Sequence, residues 1–294
     1  MTAAAHPPPS RGLGQAAVNR LLPIALALPA ALVVLMVLYV PIAWMAWVSF
    51  QNEAGWTLEH YGQLGDPNNL GYLLRTFRIA AIVTALALLV AFPTAYGISL
   101  MPRRLADLCM LLVLMPFFTS ILVRTYAWML LLQRRGLINT WLVETGIVEQ
   151  PLRLVYNEVG TVIGMLHVLV PLAILPIYGA LRALDGSLVA AAATLGASPV
   201  RRFLTITLPQ ATPGIAAGGI TVFVLSLGFY VTPAVLGGGR VVTWAMLVET
   251  VLLFNPQWGA ASALGIALLV LTLLVLWAGK AVFGLRGGQR FDAR

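Results

Sequence analysis

Charged residues, lysine and cysteine are scarce in this chain of 294 residues. Only 10% of the residues are charged, whereas 60% are hydrophobic, and the mean hydropathy is +0.91. Such a composition leaves too little polar surface for a soluble globule, so it predicts an integral membrane protein. Cys109 is the one cysteine, which excludes an intramolecular disulfide and makes a cysteine-bound metal cluster unexpected.

The sequence also lacks the common motifs of catalysis and nucleotide binding. A phosphate-binding GxxxxGK(S/T) loop needs a lysine in that pattern, and it does not occur around Lys280, the only lysine. HExxH and GxSxG patterns are absent as well. We therefore expect no enzymatic activity, catalytic residue, directly bound cofactor or metal site in this chain.

Apolar residues are grouped into six long runs, each close to the roughly 20 residues that span a bilayer as a helix. They predict transmembrane helices at residues 21–48, 77–100, 108–132, 161–181, 214–236 and 260–283. Residues 51–75 are polar and are expected to form a water-facing loop with one helical turn. The first run is longer than a signal-peptide core, so we expect it to be retained, with a cleaved signal as the alternative.

The distribution of charge predicts which loops face the cytoplasm. The net charge is +8, but the basic residues are spread over short loops and form no nucleic-acid-binding patch. With the N-terminus inside, the inner segments hold most of the basic residues and the outer loops most of the acidic ones. The positive-inside rule therefore places both termini in the cytoplasm. We expect a disordered cytoplasmic tail at 1–20, a transmembrane domain at 21–284 and a cytoplasmic tail at 285–294.

An amphipathic segment, residues 182–213, separates the fourth and fifth runs on the cytoplasmic side. Apolar residues recur at helical spacing in its first half and form a stripe that can rest on a neighbouring surface: Leu184, Leu188, Ala191, Ala192 and Leu195. Gly196 is predicted to stop this helix. Ser198 and Pro199 are predicted to start a second short helix, which Pro209 closes. Two such helices at a membrane surface predict a docking element for a cytoplasmic partner.

The spacing within this segment resembles the cytoplasmic loop of permease subunits of ATP-binding-cassette (ABC) importers. That loop reads Glu-Ala-Ala, three residues, Gly, nine residues, Ile, one residue, Leu-Pro. The same register here is Ala190, Ala191, Ala192, Gly196, Ile206, Leu208 and Pro209, with Ala190 in place of the acid. The resemblance implies a type I importer permease fold with six transmembrane helices, whose loop forms a coupling helix seated in a groove of an ATPase. An ordinary interhelical loop is the alternative.

The candidate coupling residues follow from this register. They are Ala190, Ala191, Ala192, Gly196, Ser198, Pro199, Arg201, Arg202, Phe203, Ile206, Leu208 and Pro209. The alanines are expected to allow close helix approach, and Phe203 to anchor in a pocket of the ATPase. Arg201 and Arg202 either pair with acidic residues of that partner or only satisfy membrane topology. The alanine at 190 indicates that this subunit is one half of an asymmetric pair.

Further stretches resemble the polyamine-type permeases, which import spermidine and putrescine. They are ArgThrTyrAlaTrp at 124–128 with Gly136, Ile138 and Asn139, PheProThrAlaTyr at 92–96, ProLeuAlaIleLeuProIleTyr at 171–178 and ThrProAlaValLeuGlyGlyGly at 232–239. This resemblance implies a polyamine as the solute, although importers of opines, amino acids, phosphonates and iron share parts of the pattern. It also implies a second permease subunit, two cytoplasmic ATPase subunits that bind ATP, and an external substrate-binding protein.

Aromatic and charged residues near the predicted outer ends of the spans are candidates for a substrate passage or gate: Arg124, Tyr126, Trp128, Phe229, Tyr230 and Glu249. The aromatic rings either contact amines through cation–π interactions or form the aromatic belt at the lipid interface. Arg124 is expected to be a structural or gate residue paired with an acid, or to snorkel to the interface. Glu249 either attracts a cationic substrate or is a solvated loop carboxylate. His167 is expected to be a hydrogen-bonded core residue.

Two other functional classes are compatible with a membrane protein of this size. An ion-coupled secondary transporter needs paired carboxylates within its spans, and no carboxylate falls inside a predicted span. A membrane scaffold without transport activity is the second.

Overall fold

The computed structural model describes residues 13–52, 55–254 and 257–287, and the side chains among them from 27 to 279. This part of the chain is helical apart from loops and one small hairpin, β1 (Gln51–Asn52) and β2 (Gly55–Trp56). The helices are α1 (Leu13–Ser49), α2 (Glu59–Gly62), α3 (Pro67–Ser99), α4 (Arg103–Leu114), α5 (Ile121–Leu132), α6 (Leu137–Glu144), α7 (Glu158–Arg182), α8 (Gly186–Thr194), α9 (Pro199–Arg202), α10 (Leu208–Leu227), α11 (Val231–Gly237), α12 (Trp244–Phe254) and α13 (Trp258–Gly287).

The core is formed by α3, α7 and α10, and small residues lie where these helices meet. On α3, the side chains of Ala87, Ala91 and Ala95 are fully buried at a spacing of four residues. On α10, Gly214 lies so close to α7 that an added Cβ would stand 2.6 Å from the carbonyl oxygen of Pro176. Small residues allow membrane helices to approach until their backbones touch, and this packing drives their association. The three helices therefore form one closely packed unit.

Helices that can span a bilayer occur at most of the predicted positions. Among the described residues, the helices that are long and apolar enough are Ala27–Ser49, Pro67–Ser99, Glu158–Arg182, Pro199–Leu227 and Trp258–Gly279. A bent pair, Arg103–Phe118 and Ile121–Glu144, meets the same length and composition criteria when taken as one span. The predicted all-α membrane fold is confirmed, and the number of spans reaches 6 when the bent pair counts as one.

The span predicted at 108–132 is a bent pair of helices and not a single straight helix. The chain turns by 94° between the two halves of the bent pair. Pro116 lies in the 3-10 turn Met115–Phe118 just before this bend. A proline has no N–H to donate and clashes with the preceding turn, so the helical hydrogen bonds are interrupted there. The helix predicted at 214–236 is also interrupted, because α10 ends at Leu227 and α11 begins at Val231.

Other helix boundaries also differ from the predicted ones. α3 begins at Pro67, inside the stretch expected to be a loop, because the Asp66 side chain accepts a hydrogen bond from the amide of Asn68 at 2.8 Å and caps the helix. α1 begins at Leu13, so the last residues of the expected N-terminal tail are helical. Residues 1–12 and 288–294 of the two expected tails lie outside the described residues.

Candidate functional site

Residues 182–213 lie at one end of the α3–α7–α10 core. At the end of α7, Nη1 of Arg182 donates to the carbonyl oxygen of Ser99 on α3 over 3.5 Å. The Asp185 side chain caps α8 by accepting a hydrogen bond from the Ser187 amide at 2.9 Å. Hydrogen bonding to Ser187 holds the pKa of Asp185 below its usual value. The start of α8 is therefore tied to the end of the core.

The predicted stop and cap within this segment are both present. Gly196 has a φ of 78°, a left-handed conformation that glycine adopts without strain, and it ends α8. The Ser198 side chain then accepts a hydrogen bond from the Arg201 amide at 3.3 Å, with Pro199 in the first turn of α9.

The prediction that Pro209 closes the second short helix is wrong. α9 continues through a π-helical turn, Phe203–Thr207, directly into α10. Pro209 lies in the first turn of α10, and the stretch Pro199–Leu227 forms one apolar helix. A π-helical turn absorbs the proline because it changes the local hydrogen-bond register without ending the helix. The second half of the segment is therefore continuous with a core helix.

Phe203 is half-buried and contacts α3 of the same chain. Its ring packs edge-on against two aromatic rings of α3, 6.0 Å from Phe92 and 5.2 Å from Tyr96 between ring centroids. The side chain joins the segment to α3 within the same chain, and its role as an anchor in a pocket of the ATPase stays a prediction. The aromatic pair on α3 was not identified from the sequence, although both residues fall in the PheProThrAlaTyr stretch and lie four residues apart.

The exposed apolar side chains of this segment are on α8 and α9 and in the turn between them. Leu195 is 87% exposed, Val200 68% and Leu188 48%. Of the candidate coupling residues, the exposed ones are Ala190, Ala191, Gly196, Ser198, Pro199, Arg201 and Pro209. Those that are half-buried are Ala192, Arg202, Phe203, Ile206 and Leu208. A group of exposed apolar side chains at the end of a folded core is typical of an interaction surface.

Arg124 and Trp128 lie one turn apart on α5 and face α7. The Trp128 ring lies 5.7 Å from the ring of His167 on α7, in an edge-on arrangement. Nε and Nη1 of Arg124 and Nδ1 of His167 are buried without a hydrogen-bond partner in the described part of the chain. The acid expected beside Arg124 is therefore not found among the described residues, and the hydrogen bond expected of His167 is not made by its Nδ1. Three buried polar atoms in one place are costly unless another molecule satisfies them.

The structure does not bring the six candidate passage residues together on one surface. Tyr126 is 50% exposed and lies two residues from both Arg124 and Trp128, so it projects from another face of α5. Phe229 packs against the hydrophobic core at the link between α10 and α11. In the same link, the Tyr230 hydroxyl donates a hydrogen bond to Oε1 of Glu249 on α12. Glu249 is half-buried, so it is not the fully solvated loop carboxylate of the alternative reading.

Asn139 is a structural residue whose role the sequence did not reveal. Its side chain is fully buried at the start of α6. Nδ2 donates to the carbonyl oxygens of Gln133 and Leu152 at 2.9 and 3.0 Å, and Oδ1 accepts from the Leu152 amide at 2.8 Å. It joins the loop before α6 to the loop after it. The only signal in the sequence was its place in the polyamine-type pattern.

Comparison with known proteins agrees with this architecture. The family described as binding-protein-dependent transport system inner membrane component matches residues 86–283. The spermidine/putrescine transport system permease protein PotB of Haemophilus influenzae is 33% identical over 221 residues, covering 75% of this chain and 77% of PotB. PotB of Escherichia coli is 30% identical over 224 residues, covering 75% and 82%.

A solved structure has the same fold. It is a bacterial ABC transporter involved in the import of the acidic polysaccharide alginate, with a TM-score of 0.66 and 18% identity over 90% of this chain and 96% of that one. The family match and the similarity to the PotB permeases show that this chain is a permease of an ABC importer. This chain belongs to the family of binding-protein-dependent transport system inner membrane components, and it is a multi-pass membrane protein.

Proposed function

We propose that this chain is the translocating subunit of an ATP-driven importer and that residues 182–213 couple it to a cytoplasmic ATPase. The observation that carries the proposal is the construction of this segment. α8 presents exposed Leu188 and Leu195 beside the Gly196 turn, and α9 runs without a break into α10. A push on the exposed surface is thereby applied directly to a core helix.

The partners follow from this role. Two ATPase subunits bind and hydrolyse ATP, a second permease completes the pathway as a heterodimer, and an external binding protein delivers the solute. The chain holds no cofactor and catalyses no reaction itself. The coupling segment and both termini face the cytoplasm, as the excess of basic residues on that side requires. The ion-coupled secondary transporter is not proposed, because the chain belongs to a binding-protein-dependent family.

Transport proceeds by alternating access. Closure of the ATPase dimer on ATP displaces the coupling segment and, with it, α10 and the aromatic contact between Phe203 and α3. This opens the path outward, and hydrolysis returns it inward. ATP drives the change only because it binds the closed ATPase dimer better than the open one.

The solute that we propose is a polyamine such as putrescine or spermidine. The similarity to two PotB permeases supports this choice. The Glu249 carboxylate and the Tyr230 ring can hold an ammonium group by charge and by cation–π contact. Trp128 offers a second ring, while Arg124 is a structural or gate residue, since a cation repels a polyamine. Opines, amino acids, phosphonates and iron are the alternative solutes.

Purification of the tagged chain from membranes tests the coupling proposal. We expect an ATPase to co-purify. Gly196→Ala should lower both its recovery and ATP-dependent uptake of labelled putrescine, because a side chain at a φ of 78° is strained. Gly186→Ala, at the start of the same helix where an added Cβ meets no atom within 4 Å, is the matched control. The proposal fails if no ATPase is recovered, or if both variants behave like the parent protein.

A second experiment tests the solute. Thermal-shift measurements on the external binding protein with putrescine, spermidine, opines and amino acids should show the largest stabilisation with a polyamine. Glu249→Gln should raise the KM for putrescine uptake while leaving ATPase recovery unchanged. Stabilisation by an anionic solute alone would overturn the polyamine assignment and leave the coupling proposal intact.

A further inference from the structure

A cavity of about 370 Å³ lies at the end of the molecule opposite the coupling segment. The two sites are separated by the length of α7, whose 25 residues extend about 37 Å. Three arginines from three different loops line the cavity: Arg134 after α5, Arg153 before α7 and Arg240 after α11. We call it the basic pocket. None of the described residues around it is acidic.

A carboxylate at this end of α7, that of Glu158, is already neutralised. Oε1 of Glu158 accepts a hydrogen bond from Nη2 of Arg78 and lies 3.6 Å from Nε of Arg75. Nη1 of Arg75 also donates to the carbonyl oxygen of Arg240 over 3.4 Å. Arg75 is thus a fourth arginine beside the pocket, and it shares the Glu158 carboxylate with Arg78. The local charge at the pocket is positive, and such a concave surface concentrates the field on an incoming anion.

The loops that carry Arg134 and Arg153 are held together before any partner binds. Asn139 bonds to Gln133, next to Arg134, and to Leu152, next to Arg153. Gly136 closes the turn so tightly that an added Cβ would lie 2.4 Å from the carbonyl oxygen of Leu130. The relative position of the two loops is therefore fixed by the hydrogen bonds of a buried amide.

The loop that carries Arg153 is also held in a strained conformation. Tyr156, which lines the pocket, has a φ of 61°, which is unusual for a residue other than glycine. Its amide donates to the carbonyl oxygen of Leu236 at 2.7 Å, and a Cβ added to Gly238 would lie 2.2 Å from its ring. Strain of this kind persists where the surrounding structure enforces it, and it is concentrated at functional sites.

We propose that the basic pocket is the contact point for the external binding protein and that it receives a carboxylate side chain of that protein. The proposal rests on the proposed function, because it needs the orientation and the partner given there. Guanidinium groups pair with carboxylates through two parallel hydrogen bonds, which gives both strength and a defined orientation. The same positive charge repels a polyamine, so the pocket is not the solute entrance.

The test measures binding of the purified binding protein to the complete transporter, with both permeases and the ATPase, in lipid nanodiscs. Arg134→Glu and Arg153→Glu should each weaken binding about tenfold or more, because like charges then face each other, and should reduce its dependence on salt. Arg135→Glu is the matched control, since Arg135 is also exposed and adjoins Arg134 but does not line the pocket. We expect that variant to bind within about twofold of the parent.

Two further readouts distinguish the possible failures. Variants that keep their ATPase and their ATP hydrolysis without binding protein are folded and assembled. If such Arg134→Glu and Arg153→Glu transporters bind the binding protein like the parent, the pocket proposal is overturned and the proposed function stands. If inorganic phosphate or succinate binds the parent but not Arg153→Glu, while binding-protein affinity is unchanged, the pocket takes a dissolved anion and the proposal is also overturned. Absence of an ATPase from the parent would overturn the proposed function itself.

Discussion

The two ends of α7 are built from different kinds of contacts. At the Glu158 end, ion pairs to α3 and the hydrogen bonds of Asn139 hold the loops to one another. At the Arg182 end, the side chains of Leu195 and Val200 are 87% and 68% exposed. At the Glu158 end, these charged and polar groups find their partners within this chain, and an excess of positive charge remains. The other end leaves apolar side chains exposed, which we propose the ATPase covers.

This difference indicates how each end contributes to assembly. Burial of one leucine-sized side chain stabilises a complex by about 1.5–3 kcal/mol, so a few exposed apolar residues on α8 and α9 suffice for an appreciable affinity. At the Glu158 end, by contrast, fixed charges set orientation and the rate of encounter more than they set affinity. We therefore expect packing to hold the proposed ATPase and charge to guide the proposed binding protein.

The largest effect is expected for a charge placed in the apolar coupling surface. Leu195→Asp should reduce ATPase recovery and ATP-dependent uptake at least about tenfold, because a carboxylate would have to be buried without a partner. Leu58→Asp, on a residue that is 70% exposed in the loop before α2, is the matched control. Equal losses in both variants would show that the coupling end has no special role.

A smaller effect is expected for the buried amide at the other end. Asn139→Leu should lower the free energy of unfolding by an amount on the order of 3 kcal/mol, since it leaves several buried backbone groups without partners. Thermal unfolding in detergent measures the change, with Thr140→Ala, on the exposed neighbour, as the control. An unchanged melting temperature for Asn139→Leu would contradict the description of this end as a hydrogen-bonded unit.

A substitution in the core between the two ends is expected to have an intermediate effect on stability. Gly214→Ala should cost about 1–3 kcal/mol of stability, because its methyl group would overlap the α7 backbone. Gly179→Ala on α7, where an added Cβ meets no atom within 4 Å, should have little effect. If the two variants unfold at the same temperature, the close contact between α7 and α10 is not a significant part of the stability.

The smallest effect is expected for the exposed ion pair. Arg78→Gln removes its bond to Glu158 and should cost at most about 1 kcal/mol, because solvent screens exposed charges. The difference from the parent should shrink further at high salt. Arg103→Gln, on an exposed arginine at the start of α4, provides the comparison. A loss of several kcal/mol would mean that the ion pair, and not Asn139, maintains the Glu158 end.

Local signals in the sequence predicted the elements that depend on neighbouring residues. The hydropathy runs located the spans, and Gly196 and Ser198 marked the helix stop and cap in the coupling segment. The same signals failed at Pro209, which was expected to end a helix but is accommodated in a continuous one, whereas Pro116 precedes a break. A proline's effect depends on whether the surrounding turns can satisfy the hydrogen bonds that it removes.

Contacts between distant residues were not predictable in this way. The contact of Phe203 with α3 joins residues about a hundred positions apart, and the unpaired atoms of Arg124 and His167 reflect what surrounds them. The basic pocket likewise unites three loops. Hydropathy and local spacing alone thus determined that the chain is a helical membrane protein, that α8 ends before Gly196 and that α9 begins after Ser198. The tertiary structure decided which side chains meet, because that depends on the packing of helices far apart in sequence.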